Sequence, residues 1–424
     1  MFTTSNSGAK GRAMALVAAF LGWMFDGLEM GLFPLAGRPA LKELMNATGP
    51  DADKIIGPWF AGILAAFLVG AALGGILFGW LGDRIGRVKA MVWSVATYSV
   101  FSGLCGFVKT PDQLGALRFI ASLGMGGEWA LGVSLISEIW PAKSRPLLAG
   151  LIGAAANVGF FFVGVITLLL MKYGKTLEVR FHMPLWRLIF IAGAVPALLT
   201  FLIQIFVPES EKWKAAASSG PKPQVADIFV PGIRKYTGLG ATLAGVALLG
   251  TWASVQWIPP WANQMTGGDM AKSSWTQMFA AVGAVVLPLV TALLAQRYNR
   301  RGTYAALCIG SILVCEYLFL TRPAFGFRFL LLATLANGVT GSFYGWLPLY
   351  LPELFPTRIR ATGSGFCFNI GRVFAAGGTY VSGTLLRHFN GDYARMGSVI
   401  CLIYLAGLVV IYFCPETKGK PLPE

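Results

Sequence analysis

The chain has 424 residues, 55% of them hydrophobic and only 12% charged, with 34 Lys plus Arg against 19 Asp plus Glu. That balance excludes a pair of soluble domains and defines an all-α polytopic membrane protein. The net charge of +15 does not point to nucleic acid, because the basic residues are scattered through short loops and form no continuous face.

A helix needs about twenty apolar residues to cross the hydrocarbon core. That ruler predicts twelve transmembrane helices, at 12–36, 58–79, 89–108, 112–137, 147–171, 185–207, 236–262, 273–295, 302–321, 326–351, 361–386 and 395–414. The first follows Lys10 and Arg12 as a secretory signal would. Its apolar part extends to Leu35 and holds Asp26 and Glu29, so it reads as an uncleaved span. The polar stretch 208–235 separates the spans into an N-terminal six-helix bundle over 1–207 and a C-terminal one over 236–424, with the linker cytoplasmic. Lys and Arg are in excess in the loops that lie inside if the N-terminus is inside, so both termini are expected in the cytoplasm and the protein in the plasma (inner) membrane. Cys105, Cys308, Cys315, Cys367, Cys401 and Cys414 fall within predicted helices without zinc-like spacing, and His182 and His388 lie near outer loops. No metal or other cofactor is expected.

Several stretches occur twice. The octapeptide Glu138-Ile-Trp-Pro-Ala-Lys-Ser-Arg145 returns as Glu353-Leu-Phe-Pro-Thr-Arg-Ile-Arg360, and Arg118-Phe119 returns as Arg328-Phe329. After the second span the chain reads Gly79-Trp-Leu-Gly-Asp83-Arg84-Ile-Gly86-Arg87. The matching place after the eighth reads Ala295-Gln296-Arg297-Tyr298-Asn299-Arg300, which keeps the basic residues and replaces the acid by Gln296. The two bundles are therefore read as pseudo-symmetric.

These loops and the twelve spans resemble the major facilitator superfamily of transporters over essentially the whole chain. The resemblance implies a central cavity lined by helices 1, 4, 7 and 10, rocking contacts through helices 2, 5, 8 and 11, and alternating access. Gly124-Met125-Gly126-Gly127-Glu128-Trp129, followed by Glu138 and Pro141-Ala142-Lys143-Ser144-Arg145, is similar to the sialate:proton symporters, which include sialic acid and lactate permeases. Where lactate permeases carry a His-Asp segment in helix 7, this chain reads Trp252-Ala-Ser-Val-Gln256-Trp257.

An ionisable side chain near the bilayer centre costs about 2.5–3.5 kcal/mol even on lenient scales, so each should face protein or a watery cavity. Arg372 lies near the middle of its span. It either binds a substrate carboxylate bidentately, helped by Asn369 one turn away and Asn157 across the repeat, or closes an internal ion pair with a helix acid. Asp26 and Glu29 share one helical face and, with Glu128, are the proton-coupling candidates. The alternative for Glu128 is to neutralise Arg372 or Arg118. Arg118 is expected to snorkel to the outer surface. Gln256 and Tyr344 are retained as further cavity ligands, with Trp252, Trp257, Asn337 and Trp346 weighed beside them. Asp83, Arg84, Arg87, Glu138, Arg145, Glu353 and Arg360 are assigned to gating and conformational change.

The functional expectation is a proton-coupled symporter of a small organic acid or monocarboxylate, a monomer whose partners are that organic anion, protons and the lipid bilayer. Its energy comes from a gradient, because no nucleotide-binding loop is present. The alternatives are a symporter of sugar or another neutral solute, favoured by the tail Pro415-Glu416-Thr417-Lys418-Gly419, and a transporter-like substrate sensor. A drug antiporter is disfavoured because the fifth span has no proline. An enzyme is not expected, as no nucleophile and base stand out.

Overall fold

A computed structural model describes residues 4–48, 52–141, 143–218 and 223–423. Ala142 of the first octapeptide and 219–222 of the predicted linker lie outside the described residues. The chain runs through α1 (Thr4–Leu44), α2 (Ala52–Ile85), α3 (Arg87–Leu104), α4 (Pro111–Ile139), α5 (Arg145–Phe181), α6 (Leu185–Ala192), α7 (Ala197–Phe206) and the short α8 (Glu211–Ser218). It continues with α9 (Arg234–Ala253), α10 (Ile258–Met265), α11 (Met270–Arg297), α12 (Arg300–Thr321), α13 (Phe327–Gly341), α14 (Phe343–Tyr350), α15 (Arg360–His388), α16 (Tyr393–Cys401) and α17 (Ile403–Tyr412). Among the described residues there is no strand.

Helices overlie every predicted span, and α8 with a 3₁₀ turn at Val225–Phe229 occupies the linker. Nine segments among the described residues are long and apolar enough to cross a bilayer. The predicted spans at 185–207, 236–262, 326–351 and 395–414 are each broken in two. Pro196 caps α7, and Pro259 and Pro260 open α10, where the missing N–H groups cost no helical hydrogen bond. The span at 361–386 is an unbroken helix, but its Asn369, Arg372 and glycines make it too polar to face lipid all round.

Within the first half α4 packs on α2 and α3, and α1 on α5; within the second, α15 packs on α9 and α13 on α11. The halves meet along α2 with α15 and along α5 with α11 and α14. Small residues allow this approach: a Cβ on Gly75 would collide with the Asn369 amide, and one on Gly365 would lie 2.9 Å from both the Ala130 Cβ and the Gly75 carbonyl. On the other seam a Cβ on Gly153 would meet the backbone of Tyr344 and Gly345.

The repeated Pro-Glu motifs have a structural task. Glu209 accepts hydrogen bonds from the N–H groups of Arg87 and Val88 at the start of α3, at 3.0 and 3.1 Å. Glu416 does the same for Arg300 and Arg301 at the start of α12, at 3.0 and 3.1 Å. Each carboxylate satisfies orphan donors at the positive end of a helix dipole. Burial alone would raise the Glu416 pKa, but the N–H groups of Arg300, Lys418 and Arg301, with the Arg300 charge, hold it below the usual glutamate range. Its stabilisation is therefore complete above the unfolded pKa of about 4.3 and is lost as the pH falls through the lower folded-state value. Glu416→Gln is expected to cost about 1 kcal/mol in thermal unfolding in detergent at pH 7, and the gap from wild type should close as the pH is taken below 4.

Candidate functional site

The charged end of the bundle is closed by one network. Arg87 is fully buried; its guanidinium donates to Asp83 at 2.5 Å, to Glu138 at 2.9 Å and to the Thr357 carbonyl at 2.9 Å. Glu138 also accepts from Arg360 at 3.1 Å, and Asp83 accepts from the Thr362 N–H at 2.7 Å and its hydroxyl at 2.5 Å. Four side chains from α2, α3, α4 and α15 thus tie the first half to the N-terminus of α15. Arg360 finishes its own set by donating to the Pro423 carbonyl at 2.8 Å, which leaves Leu422 buried in the cleft between the halves.

The repeat-related set in the second half is weaker across the seam. Arg300 pairs with Glu353 at 2.9 Å, and Thr417 donates to the other Glu353 oxygen at 2.6 Å. Arg145, the counterpart of Arg360, lines the same cleft as Glu353, yet its Nε has no partner among the described residues. Gln296 donates to the Lys143 carbonyl of the first half at 3.3 Å. Arg84 stands outside both sets: it is exposed and lies over the Trp80 ring at 5.0 Å. The gate role expected of Arg84 finds no contact in either set; its guanidinium lies over Trp80 of its own helix instead.

Above the closed end lies the principal cavity, about 890 Å³ including the part continuous with solvent. Trp23, Asn157, Phe160, Trp252, Gln256, Gln277, Asn337, Tyr344, Phe368 and Arg372 are among its walls. Both halves contribute, from α1, α2, α4 and α5 on one side and α9, α11, α13, α14 and α15 on the other. Its floor is aromatic. Phe368 stacks on Trp129 with centroids 3.9 Å apart and meets Trp23 and Tyr344 edge-on at 5.8 and 6.2 Å.

Arg372 is only 6% exposed. Its Nη1 donates to the Asn369 carbonyl oxygen at 2.9 Å, Asn369 donates in turn to Gly365 at 2.8 Å, and the cation lies over the rings of Phe368 and Trp23. Its Nη2 has no partner among the described residues. An unpaired guanidinium nitrogen at this depth is expensive unless something anionic shares the cavity. Asn369 is fully buried against α2 rather than at the cavity wall, so it orients Arg372.

The three acids of the first half are divided by their surroundings. Glu29 accepts from Ser102 at 2.7 Å and is ion-paired with Arg118. Arg118 is 1% exposed and sits over the rings of Phe33, Phe67 and Phe190. The snorkelling expected of Arg118 is thus overturned: its side chain turns inward to an acid on α1 instead of outward to water. Asp26 and Glu128 are 0% and 2% exposed, and neither carboxylate has a hydrogen-bond partner among the described residues. Gly22 makes room for Glu128, since a Cβ there would collide with its Oε2. Asp26 lies within electrostatic reach of Glu128 and Arg372. Of the three proton-coupling candidates, Asp26 is associated with Glu128 more closely than with Glu29 on its own helical face, because Glu29 is occupied by Arg118.

Of the substrate-binding candidates, Arg372, Asn157, Gln256 and Tyr344 line one cavity. Trp257 instead packs by Tyr393, and Trp346 is buried with its indole N–H on the Arg300 carbonyl at 3.0 Å. Sequence reasoning missed Trp23, Phe160, Gln277 and Phe368, which carry no signal in the chain beyond ordinary helical spacing. It also missed Arg300, which the repeat could have supplied as the counterpart of Arg87.

A cavity shared by two helical halves and closed at one end by a charge network is the architecture of a membrane transporter. The family model described as Major Facilitator Superfamily matches residues 18–366, and the chain belongs to that superfamily. The chain is 29% identical to a probable 4-methylmuconolactone transporter of Cupriavidus pinatubonensis, covering 99% of this chain and 94% of that one. It is 28% identical to the cis,cis-muconate transport protein of Acinetobacter baylyi, covering 96% and 95%. Its fold is similar to that of the proton:xylose symporter XylE, with a TM-score of 0.80 at 17% identity over 98% of each chain. The protein is a multi-pass transporter of the plasma membrane and not an enzyme.

Breaking a buried ion pair on one side leaves an uncompensated charge, which costs about 3–5 kcal/mol. Arg118→Gln is therefore expected to lower the thermal stability of the detergent-solubilised protein sharply, and the double variant Arg118→Gln with Glu29→Gln should regain most of the loss.

Proposed function

We propose that this transporter carries a small organic acid together with protons, by alternating access between its two six-helix bundles. The observation that carries the reading is the buried Arg372, with one terminal nitrogen unpartnered at the wall of the principal cavity. A carboxylate placed there gains a charge-assisted hydrogen bond from a cation already oriented by Asn369. The rings of Trp23 and Phe368, and the Phe160–Trp252 pair that also lines the cavity, suit a flat unsaturated or aromatic body. The muconate and muconolactone named for the two relatives and the likeness of 124–129 to the sialate:proton symporters favour the same carboxylate class.

Asp26 and Glu128 are the proton carriers in this reading. Two buried carboxylates without donors are stable only when protons neutralise them. Substrate at Arg372 and protons on the acids together discharge the midplane, after which the halves rock on the α2–α15 and α5–α11 seams. Release to the cytoplasm requires parting of Asp83, Glu138 and Arg360 and unstacking of Phe368 from Trp129.

Uptake of a carboxylate panel into proteoliposomes tests the reading. An inward proton gradient is expected to stimulate accumulation of at least one acid, and its failure to do so for every acid would overturn proton symport. Arg372→Gln should weaken binding of that acid about 10- to 100-fold, the range for hydrogen bonds to a charged group. The pair Asp26→Asn with Glu128→Gln should retain counterflow exchange and lose gradient-driven accumulation.

A further inference from the structure

The principal cavity is electrostatically one-sided in a way that restricts its cargo further. Among its described lining residues Arg372 is the only charged one. The remaining polar walls are neutral: the amides of Asn157, Gln256, Gln277 and Asn337, the hydroxyls of Thr251 and Thr379, and the Tyr344 phenol. Thr251, Thr379 and the Asn337 amide N–H are turned to their own helix carbonyls, at 2.9, 2.9 and 3.0 Å. Committed in this way, the hydroxyls of Thr251 and Thr379 present lone pairs to the cavity rather than protons. Lone pairs repel a carboxylate and accept from a hydroxyl or a protonated acid. The amides of Gln256 and Gln277 add donors that satisfy a carbonyl without neutralising a charge.

The surroundings reinforce this bias. Asp26 and Glu128 are buried on the first-half side, within electrostatic reach of each other, and Asp26 also reaches Arg372. The buried cations of the first half, Arg118 and Arg87, are committed to Glu29 and to Asp83 with Glu138. A first carboxylate therefore finds one guanidinium, while a second finds only dipoles and a neighbouring acid pair. Burying a second ionised group without a counter-charge is unfavourable in a low-dielectric site.

We infer that the cavity selects a monoanion: one carboxylate at Arg372, with a neutral hydrogen-bonding group such as a lactone, ester, hydroxyl or protonated acid at the far end by Asn157, Gln256 and Gln277. This rests on Arg372 as the carboxylate's partner and adds a rule about the rest of the cargo. A dicarboxylate is accepted only after one of its ends has been masked or protonated. The reaction that supplies the cargo is then one that leaves a single free carboxylate, such as ring closure of a diacid to a lactone.

The test compares ligands on the unaltered protein in proteoliposomes at pH 7.5, reading competition against uptake of the acid most strongly transported. The ligands are cis,cis-muconate, its monomethyl ester and its dimethyl ester, and the same three forms of terephthalate. The monoester of at least one skeleton is expected to bind tenfold or more tightly than its dianion. Equal or tighter binding of the dianions overturns the monoanion rule and leaves the Arg372 reading standing, and so does failure of both monoesters to compete. A dimethyl ester that competes as well as the monoester removes the need for any carboxylate, and the Arg372 reading falls with it.

Discussion

Arg87 has no solvent exposure, and the charged end of the bundle is arranged around the need to compensate it. A guanidinium buried without partners would unfold its surroundings, so Asp83, Glu138 and the Thr357 carbonyl must all be present at once. Two of those three are shared with the other half, through Thr362 and Arg360 on Asp83 and Glu138 respectively. The same atoms that neutralise Arg87 therefore hold the halves together. Separation of the halves is coupled to a rearrangement of charge, and the closed end is a discrete state rather than a continuously deformable one.

The midplane is built on the opposite plan. Asp26, Glu128 and the outer nitrogen of Arg372 are buried and left without hydrogen-bond partners among the described residues. Folding alone would select against such groups. Their presence beside the ion pairs of Glu29 with Arg118 and of Arg87 with Asp83 and Glu138 separates the charges paired within the fold from those reserved for something that arrives and leaves. Aromatic packing of Phe368 on Trp129 lies between the two regions, so movement at either is felt by the other.

Much of the fold was legible in the chain because lipid leaves a spanning backbone few alternatives to helix. Arg372 and Glu128 were legible for a related reason: charge inside an apolar run is conspicuous. What could not be read was direction around the helix. Arg118 has the depth of a snorkelling residue, but its partner Glu29 is 89 positions away on another helix. Asp26 and Glu29 share a face by spacing, yet Ser102 and Arg118 reach only the second. The octapeptide repeat implied equal gates, whereas Arg360 reaches Glu138 across the seam and the Nε of its counterpart Arg145 has no partner among the described residues. Phe368 and Gln277 had no signal at all, because aromatic and amide side chains at helical spacing do not announce which wall they form.

The geometry of α15 gives one further consequence. Arg360 at its end and Arg372 at the cavity are joined by a continuous helix, about 18 Å apart at 1.5 Å per residue. The helix is a lever with the charge network at one end and the cargo's partner at the other. A tilt of about 5° over that length displaces the far end by roughly 1.6 Å, enough to take hydrogen bonds of 2.5–3.1 Å at Asp83 and Glu138 beyond their range. The stiffness of thirteen helical residues, rather than any chain of side-chain contacts, sets how small a movement in the cavity suffices to unlock the charged end of the bundle.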